Sequence, residues 1–256
     1  MEHHAGKRTV IFHYHLFKNA GTSLDALLID YFKDKWVTQE FSGQHAINRQ
    51  EVKSWIESNP EALCFSSHTA HLPTAQVAQT EVLPVIFVRH PLDRIASAYS
   101  FERKQGSNGF GSVWARNTTL AGYIETRLSL PHDFQCRNFH VANFARMFPA
   151  NTGDDLTRAL RAIEQLPFVG IVERFGDSLT QLDAWLETKG FSNMNLKPVE
   201  KNVSRDLSQP IEARIAEIKS QIGDEVFQKL LIANEADMAL YNAALAKSIA
   251  NETPEH

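Results

Sequence analysis

Three short stretches of the chain carry residues whose types and spacing suit chemistry on an anion. In "HLFKNAGTS" (15–23), Lys18 stands just ahead of Gly21, Thr22 and Ser23. In "VRHPLDRIAS" (88–97), Arg89, Arg94 and Ser97 follow an apolar run, and in "SSHTAH" (66–71), His68 and His71 lie three residues apart. A glycine lets the backbone approach a ligand, two hydroxyls can donate, and a lysine adds a mobile positive charge. A helix starting at that point would aim unpaired N–H groups and a partial positive charge at the same ligand. The anion cradle would then consist of Lys18, Asn19, Ala20, Gly21, Thr22 and Ser23. It is not a Walker A loop: GxxxxGK[ST] is absent and the lysine precedes the turn. The plain alternative is an ordinary strand–helix corner with a snorkelled lysine.

The second stretch suits a phosphate monoester. Arg89 can give two charge-assisted hydrogen bonds, and Ser97 offers a hydroxyl. The alternative partner for Arg89 is Asp93, four residues on. Two anion-suited corners in one chain point to a ligand with two separated anionic groups. Imidazole titrates near neutral pH, which suits a general base. His68, directly after an apolar run, is the first candidate and His71 the alternative. His13 and His15 share one strand face, but no Cys or carboxylate nearby in sequence completes a metal set. They are expected in core or pocket-wall roles, with no metal site. Glu173 and Arg174 read as a structural salt bridge.

These residues need elements to position them. Apolar runs predict strands at 8–14, 62–66, 82–90 and 168–175. Helices are expected at 22–33, 50–58, 92–104, 113–128, 138–147 and about 178–188, with a helical turn at 74–80. Asp154 or Asp155 should cap a helix through Leu166, and Ser208 one beginning near Pro210, after which two helical stretches close the chain. The glycine-rich segment 106–112 reads as a flexible loop, either an acceptor lid or a linker. The polar loop 196–206, with Lys197, Lys201, Asn202 and Ser204, reads as a cover for a nucleotide or as a solvated connector. Strand–helix alternation with β-branched strands predicts an α/β fold of three layers around a mostly parallel sheet. One domain over 8–248 is expected, with 1–7, including His3 and His4, and 249–256 as flexible ends.

The 256 residues suffice to bury a core without staples. A net charge of −4 argues against a general polyanion surface, hence against nucleic acid as partner, but leaves room for a local anion pocket. Cys64 and Cys136 offer no disulfide framework and no metal spacing, so a cytoplasmic protein with reduced thiols is expected. No run approaches the ~20 apolar residues of a membrane span, and the N-terminus has no signal-peptide core.

The two corners together resemble the nucleotide signature of sulfotransferases that use 3′-phosphoadenosine 5′-phosphosulfate (PAPS). The first is similar to their His-Ile-Pro-Lys-x-Gly-Gly-Thr-Ser phosphosulfate loop, with Phe17 for the proline and Ala20 for a glycine. The second is similar to their Arg-x-Pro-x-x-Arg-x-x-Ser-x-Tyr motif, matched by Arg89, Pro91, Arg94, Ser97 and Tyr99. "FVGIVERFGDSLTQL" and "NEADMALYNAA" resemble later segments, and the nearest branch contains heparan sulfate 2-O-sulfotransferase and bacterial relatives. The resemblance implies a P-loop-like strand–loop–helix and transfer of sulfuryl from PAPS to a hydroxyl of a small molecule or glycan. Lys18 would neutralise the leaving group, backbone N–H groups of 20–23 would hold the 5′-phosphate, and Arg89 and Ser97 the 3′-phosphate. 3′,5′-ADP would be the product and no metal would be required. In that branch a Gly-His pair after the second strand supplies the base, and Ser67-His68 occupies its place. Two other readings stay open: a nucleotide or metabolite kinase with an atypical phosphate loop, and a non-catalytic binder of a 3′-phosphonucleotide.

Overall fold

The computed structural model describes residues 7–198 and 209–251. The Ser208 cap, Lys201, Asn202, Ser204 and most of both termini fall outside the described residues. Among the described residues five strands form one sheet: β1 (Arg8–Tyr14), β2 (Trp36–Thr38), β3 (Cys64–Ser67), β4 (Thr80–Val88) and β5 (Gly170–Ile171). Their order is β2-β3-β1-β4-β5. All four pairings are parallel, so the sheet is uniformly rather than mostly parallel.

Parallel strands need crossovers, and helices supply them. The helices are α1 (Gly21–Phe32), α2 (His45–Ser58), α3 (Pro91–Lys104), α4 (Phe110–Asn117), α5 (Leu120–Ser129), α6 (Phe139–Phe144), α7 (Asp155–Gln165), α8 (Phe175–Thr188), α9 (Ile211–Ala233) and α10 (Glu235–Ala250). None is long and apolar enough to cross a membrane.

The two-residue period of β1 divides the core. Val10, Phe12 and Tyr14 pack with Trp55 and Ile56 of α2, Ala159 and Ile163 of α7, and Leu240 and Tyr241 of α10. Ile11, between them, points the other way, to Leu24 and Leu28 of α1 and Leu179 and Leu182 of α8. A sheet covered on both faces explains the unbroken apolar run, since no position of β1 is exposed. A third cluster ties α3 to α5 and α9 through Leu92, Ile95, Ile124, Ile218 and Leu230.

Several elements differ from expectation, each for a local reason. β2 is three residues on the sheet edge, too short for a periodic signal. The run 168–175 is a strand for only two residues; a 3-10 turn follows over Val172–Arg174, and α8 begins at Phe175. The helix expected at 113–128 is two: α4 ends at Asn117 with Thr118 extended, and Thr119 caps α5, its hydroxyl accepting from Gly122 N–H at 3.2 Å. Residues 110–112 form the first turn of α4, so the glycine-rich loop is shorter than expected. Segment 74–80 is not helical; it closes as an isolated bridge between Val77 and Thr80 at the start of β4. α2 begins at His45, five residues early. Asp154 caps α7, accepting from Thr157 N–H at 2.7 Å, and Pro91 takes the first position of α3.

The far end of α7 is capped from another helix. The Lys247 ammonium on α10 donates to the carbonyls of Ile163, Glu164 and Leu166 at 2.7, 3.0 and 2.6 Å. Helix ends leave such carbonyls unpaired, and a cation there also matches the helix dipole. Lys247→Met, which keeps the stem and removes the charge, is expected to cost about 2 kcal/mol; urea unfolding at neutral pH measures it.

Candidate active site

The carboxyl ends of β1, β3 and β4 open on the same side, and each leads into one of the three chemistry-bearing stretches. After β1 the chain bends sharply. Lys18 and Ala20 both have positive φ, 62° and 60°. Ala20 is the N-cap of α1 and Gly21 its first residue. The N–H groups of Ala20, Gly21 and Thr22 make no backbone hydrogen bond among the described residues, whereas Ser23 N–H is used by the Ala20 carbonyl at 3.0 Å. The backbone N–H groups without such a bond at this helix start are therefore those of 20–22. Gly21 is required for a reason not visible in sequence: a Cβ there would lie 2.1 Å from the His15 ring.

The bend is held from below. Asn19 is 2% exposed, and its amide donates to the Phe17 carbonyl at 3.0 Å. Its oxygen accepts from His140 Nε2 at 2.9 Å, and His140 Nδ1 meets Asp237 at 3.2 Å. Asp237 also accepts from the backbone N–H groups of His140 and Val141 at 3.0 and 2.8 Å. Burial alone would raise the Asp237 carboxyl, but His140 and these donors hold it below its usual range. Above the bend, the Lys18 ammonium lies 4.5 Å from the centre of the Phe101 ring. Burial, with Arg89 and Lys104 nearby, lowers the Lys18 pKa.

Arg89 follows the last residue of β4. Its Nε donates to Asp93 at 2.7 Å, and a second nitrogen lies 2.6 Å from the same carboxylate. A third reaches the Lys18 carbonyl at 3.4 Å, tying the two corners together. The Asp93 pairing considered from sequence is thus the arrangement present. Arg214, from α9, shares that carboxylate. Arg94 is turned away, its guanidinium 4.1 Å from the Phe139 ring and bonded to Gln135. Ser97 is buried on α3. Glu173 makes no ion pair with Arg174. It accepts from His90 N–H at 3.0 Å and from the Tyr241 hydroxyl at 3.1 Å, and burial raises its pKa. Arg174 pairs with Asp177 instead.

After β3, His68 is 52% exposed and its Nδ1 lies 2.6 Å from Glu40. Glu40 also accepts from His68 N–H at 3.3 Å and from the Thr69 hydroxyl at 2.7 Å. An Nδ1–H bonded to a carboxylate leaves Nε2 as the basic nitrogen. The His68 ring packs on His15 with centroids 3.9 Å apart, so β3 and β1 bring the histidine against the bend that carries Lys18. His71 is set apart, against His45.

The carboxylate that the sequence did not offer to His13 and His15 is Asp25, one turn into α1. It accepts from His13 Nδ1 at 2.7 Å and His15 Nδ1 at 2.8 Å. The donor atoms of the three lie within 4.8 Å of one another. Burial alone would raise the Asp25 carboxyl, but the two imidazoles hold it well below the usual range. Glu40, Asp25, Phe101, His140, Arg214 and Asp237 are thus the residues around the candidate site that sequence reading missed. Asp237 lies within the "NEADMALYNAA" stretch; Glu40 follows the unseen edge strand and left no signal.

Two outcomes follow from this geometry. Adjacent substitutions at the bend should have opposite signs. Ala20→Gly relieves a left-handed non-glycine residue and should stabilise by about 1 kcal/mol. Gly21→Ala drives a methyl into His15 and should destabilise by roughly 1–3 kcal/mol despite better helix propensity. Chemical denaturation of both variants checks the pair.

The second outcome is a pH slope. Burial is the first cause that lowers His90 to about 4, Arg214 and His140 adding to it against Asp93. Burial, with Arg146 and His45, lowers His71 to about 4 as well. The unfolded chain binds these protons first, so stability is unaffected above an ordinary imidazole pKa near 6.5 and falls as pH drops from there to about 4. For His90 alone the loss is about 3 kcal/mol. Unfolding free energies measured from pH 7 to 4 should show it, and His90→Asn should flatten the slope.

The whole chain has relatives. It is 39% identical over 241 residues to an uncharacterized protein of Archaeoglobus fulgidus, an alignment covering 91% of this chain and 95% of the relative. A family model described as the sulfotransferase family matches residues 5–243. With the three-layer parallel fold and the paired corners in place, this match shows that the chain belongs to the sulfotransferase family.

Proposed function

We propose that the protein transfers the sulfuryl group of PAPS to an acceptor hydroxyl, with His68 as base. The observation that carries this reading is the 3.9 Å packing of His68 on His15, which sets an oriented imidazole against the Lys18 bend. The first corner suits the donor's 5′ end, because the N–H groups of Ala20, Gly21 and Thr22 and the Lys18 charge converge on one helix start. The second corner suits the 3′-phosphate: Arg89 and Arg214 share a single carboxylate, Asp93, and Ser97 lies on the same helix.

In the reaction, the acceptor oxygen attacks sulfur in line while His68 Nε2 takes its proton. The bond from sulfur to the bridging oxygen breaks, and 3′,5′-ADP departs with the charge that Lys18 neutralises. Glu40 positions His68 by holding Nδ1–H. Catalysis is then positioning and electrostatics, as in phosphoryl transfer. These residues require no metal for any step. The acceptor is a small molecule or glycan hydroxyl. The kinase reading is weaker here, since no carboxylate among the described residues is bonded to Thr22, where a P-loop kinase would order Mg²⁺.

The protein should bind 3′,5′-ADP more tightly than 5′-ADP by roughly 2–4 kcal/mol, read by calorimetry; equal affinities would sink the reading. Ser97→Ala should reduce that preference. Arg89→Ala should do so too, and also slow turnover, because it releases the Lys18 carbonyl.

With labelled PAPS and a working acceptor, Lys18→Ala should lower turnover ~10²–10³-fold with a smaller loss of 3′,5′-ADP affinity, and His68→Ala should lower turnover at least ~10²-fold with that affinity nearly intact. Glu40→Gln should cost less, ~10-fold, and shift the pH–rate profile. Binding of 3′,5′-ADP without any sulfate transfer would instead indicate a nucleotide-binding protein.

A further inference from the structure

The apolar run of β1 is broken by His13, which is 1% exposed and takes no part in the reaction proposed above. Residues two apart on a strand share a face. His13 and His15, just past the strand end, therefore lie on the side where Ile11 meets Leu24 and Leu28 of α1. Asp25, from α1, gives one carboxylate oxygen to each ring: Oδ1 lies 2.7 Å from His13 Nδ1, and Oδ2 lies 2.8 Å from His15 Nδ1. β3 adds a hydroxyl from beside the strand. Ser66 is paired with His13 in the register, and its Oγ lies 3.3 Å from the same Nδ1. The sequence offered no third ligand to the two histidines, and α1 supplies it.

Two imidazoles and one carboxylate are the protein donors of many zinc sites that keep an open position. Such a set also presents all three ligands to one side of an ion. Neighbouring ligands, each ~2.1 Å from the metal, lie roughly 3 Å apart. Here the two nitrogen–oxygen separations are 2.7 and 2.8 Å, and the three donor atoms lie within 4.8 Å of one another. An ion can thus take the place of the two N–H hydrogens with small side-chain shifts, each ring then carrying its hydrogen on Nε2. Ser66 Oγ is close enough to supply a fourth ligand.

The protonation states agree. Burial works to raise the Asp25 carboxyl, but hydrogen bonds from both imidazoles hold it well below its usual range, and burial lowers His15. A metal takes the carboxylate and the neutral imidazole. Magnesium and calcium prefer oxygen shells, so the two nitrogens select against them. The side chains of Asp25 and His15 keep 14% and 9% exposure, which is the side from which an ion enters.

We propose that His13, His15 and Asp25 bind a zinc ion that clamps β1 to α1 beneath the first corner. The ion acts through position alone: the His15 ring lies against Gly21 and packs on His68. No step of sulfuryl transfer passes through it, and the proposal does not rest on that reading.

Full-length protein treated with a chelator and then desalted is titrated with Zn²⁺ and Mg²⁺ by calorimetry, and with Co²⁺ as an optical probe of the same site. The imidazole nitrogens are followed by NMR. Zn²⁺ should shift the Nδ1 resonances of His13 and His15 saturably, leave those of His45 and His71 in place, and raise the urea midpoint. Co²⁺ should give visible ligand-field bands that Zn²⁺ removes, and Mg²⁺ should do nothing. His13→Gln and Asp25→Asn should each weaken Zn²⁺ binding more than ~10-fold, whereas replacing His3 and His4 by alanine should not. Because the two single variants also disturb the fold around α1, the unmodified protein decides. If Zn²⁺ leaves its His13 and His15 resonances unmoved, or if binding keeps full strength in both variants, the proposal is overturned and Asp25 is a hydrogen-bonding clamp alone. Neither result touches the preference for 3′,5′-ADP, whose failure would overturn the sulfotransfer reading alone.

Discussion

The buried carboxylate of Asp237 is the contact on which the first corner depends. It is 0% exposed and collects His140 Nδ1 and two backbone N–H groups at the start of α6. An isolated buried charge would be costly, and these donors offset that cost. His140 then extends the effect across the molecule, since its other nitrogen holds Asn19, 121 residues earlier in the chain. A helix near the C-terminus thereby sets the shape of a loop near the N-terminus. Asn138 and Asn234 reinforce the junction, Asn138 N–H donating to Asn234 at 3.1 Å. Remove the carboxylate, and the bend keeps its strain but loses its anchor.

That strain has a purpose. Two non-glycine residues with positive φ in three positions are held at an energetic cost that packing elsewhere must outweigh. The return is geometric. Lys18 is turned onto Phe101, the N–H groups of Ala20 to Thr22 make no backbone hydrogen bond among the described residues, and Gly21 slides under His15. His15 in turn is pinned by Asp25 and covered by His68. Each of these contacts crosses between β1, α1 and β3, so the corner is rigid because three elements share it.

Charge is distributed with similar economy. Glu40 is committed to His68, Asp93 to Arg89 and Arg214, and Asp25 to two histidines. At the first corner the charges that bear on Lys18 are those of Arg89 and Lys104, both positive. A chain with net charge −4 thus still gathers basic side chains at one corner, where Lys18, Arg89 and Lys104 lie near one another.

The sequence by itself determined the layers and the corners. β1 and β4 announce themselves because a strand buried on both faces must be apolar throughout, and Pro91 and Asp154 mark helix starts by local chemistry alone. Lys18, Gly21, Arg89 and His68 were legible because each lies within a few residues of a strand end. Tertiary structure decided what each of them does. Asp25, Glu40 and Asp237 meet their partners 10, 28 and 97 residues away, through side chains whose meeting depends on which face a helix presents. It also made Arg89 a tie between the corners, and gave Gly21 its reason in the His15 ring. Periodicity and capping act over one turn of chain, whereas hydrogen bonds between distant elements exist only once the sheet has brought them together.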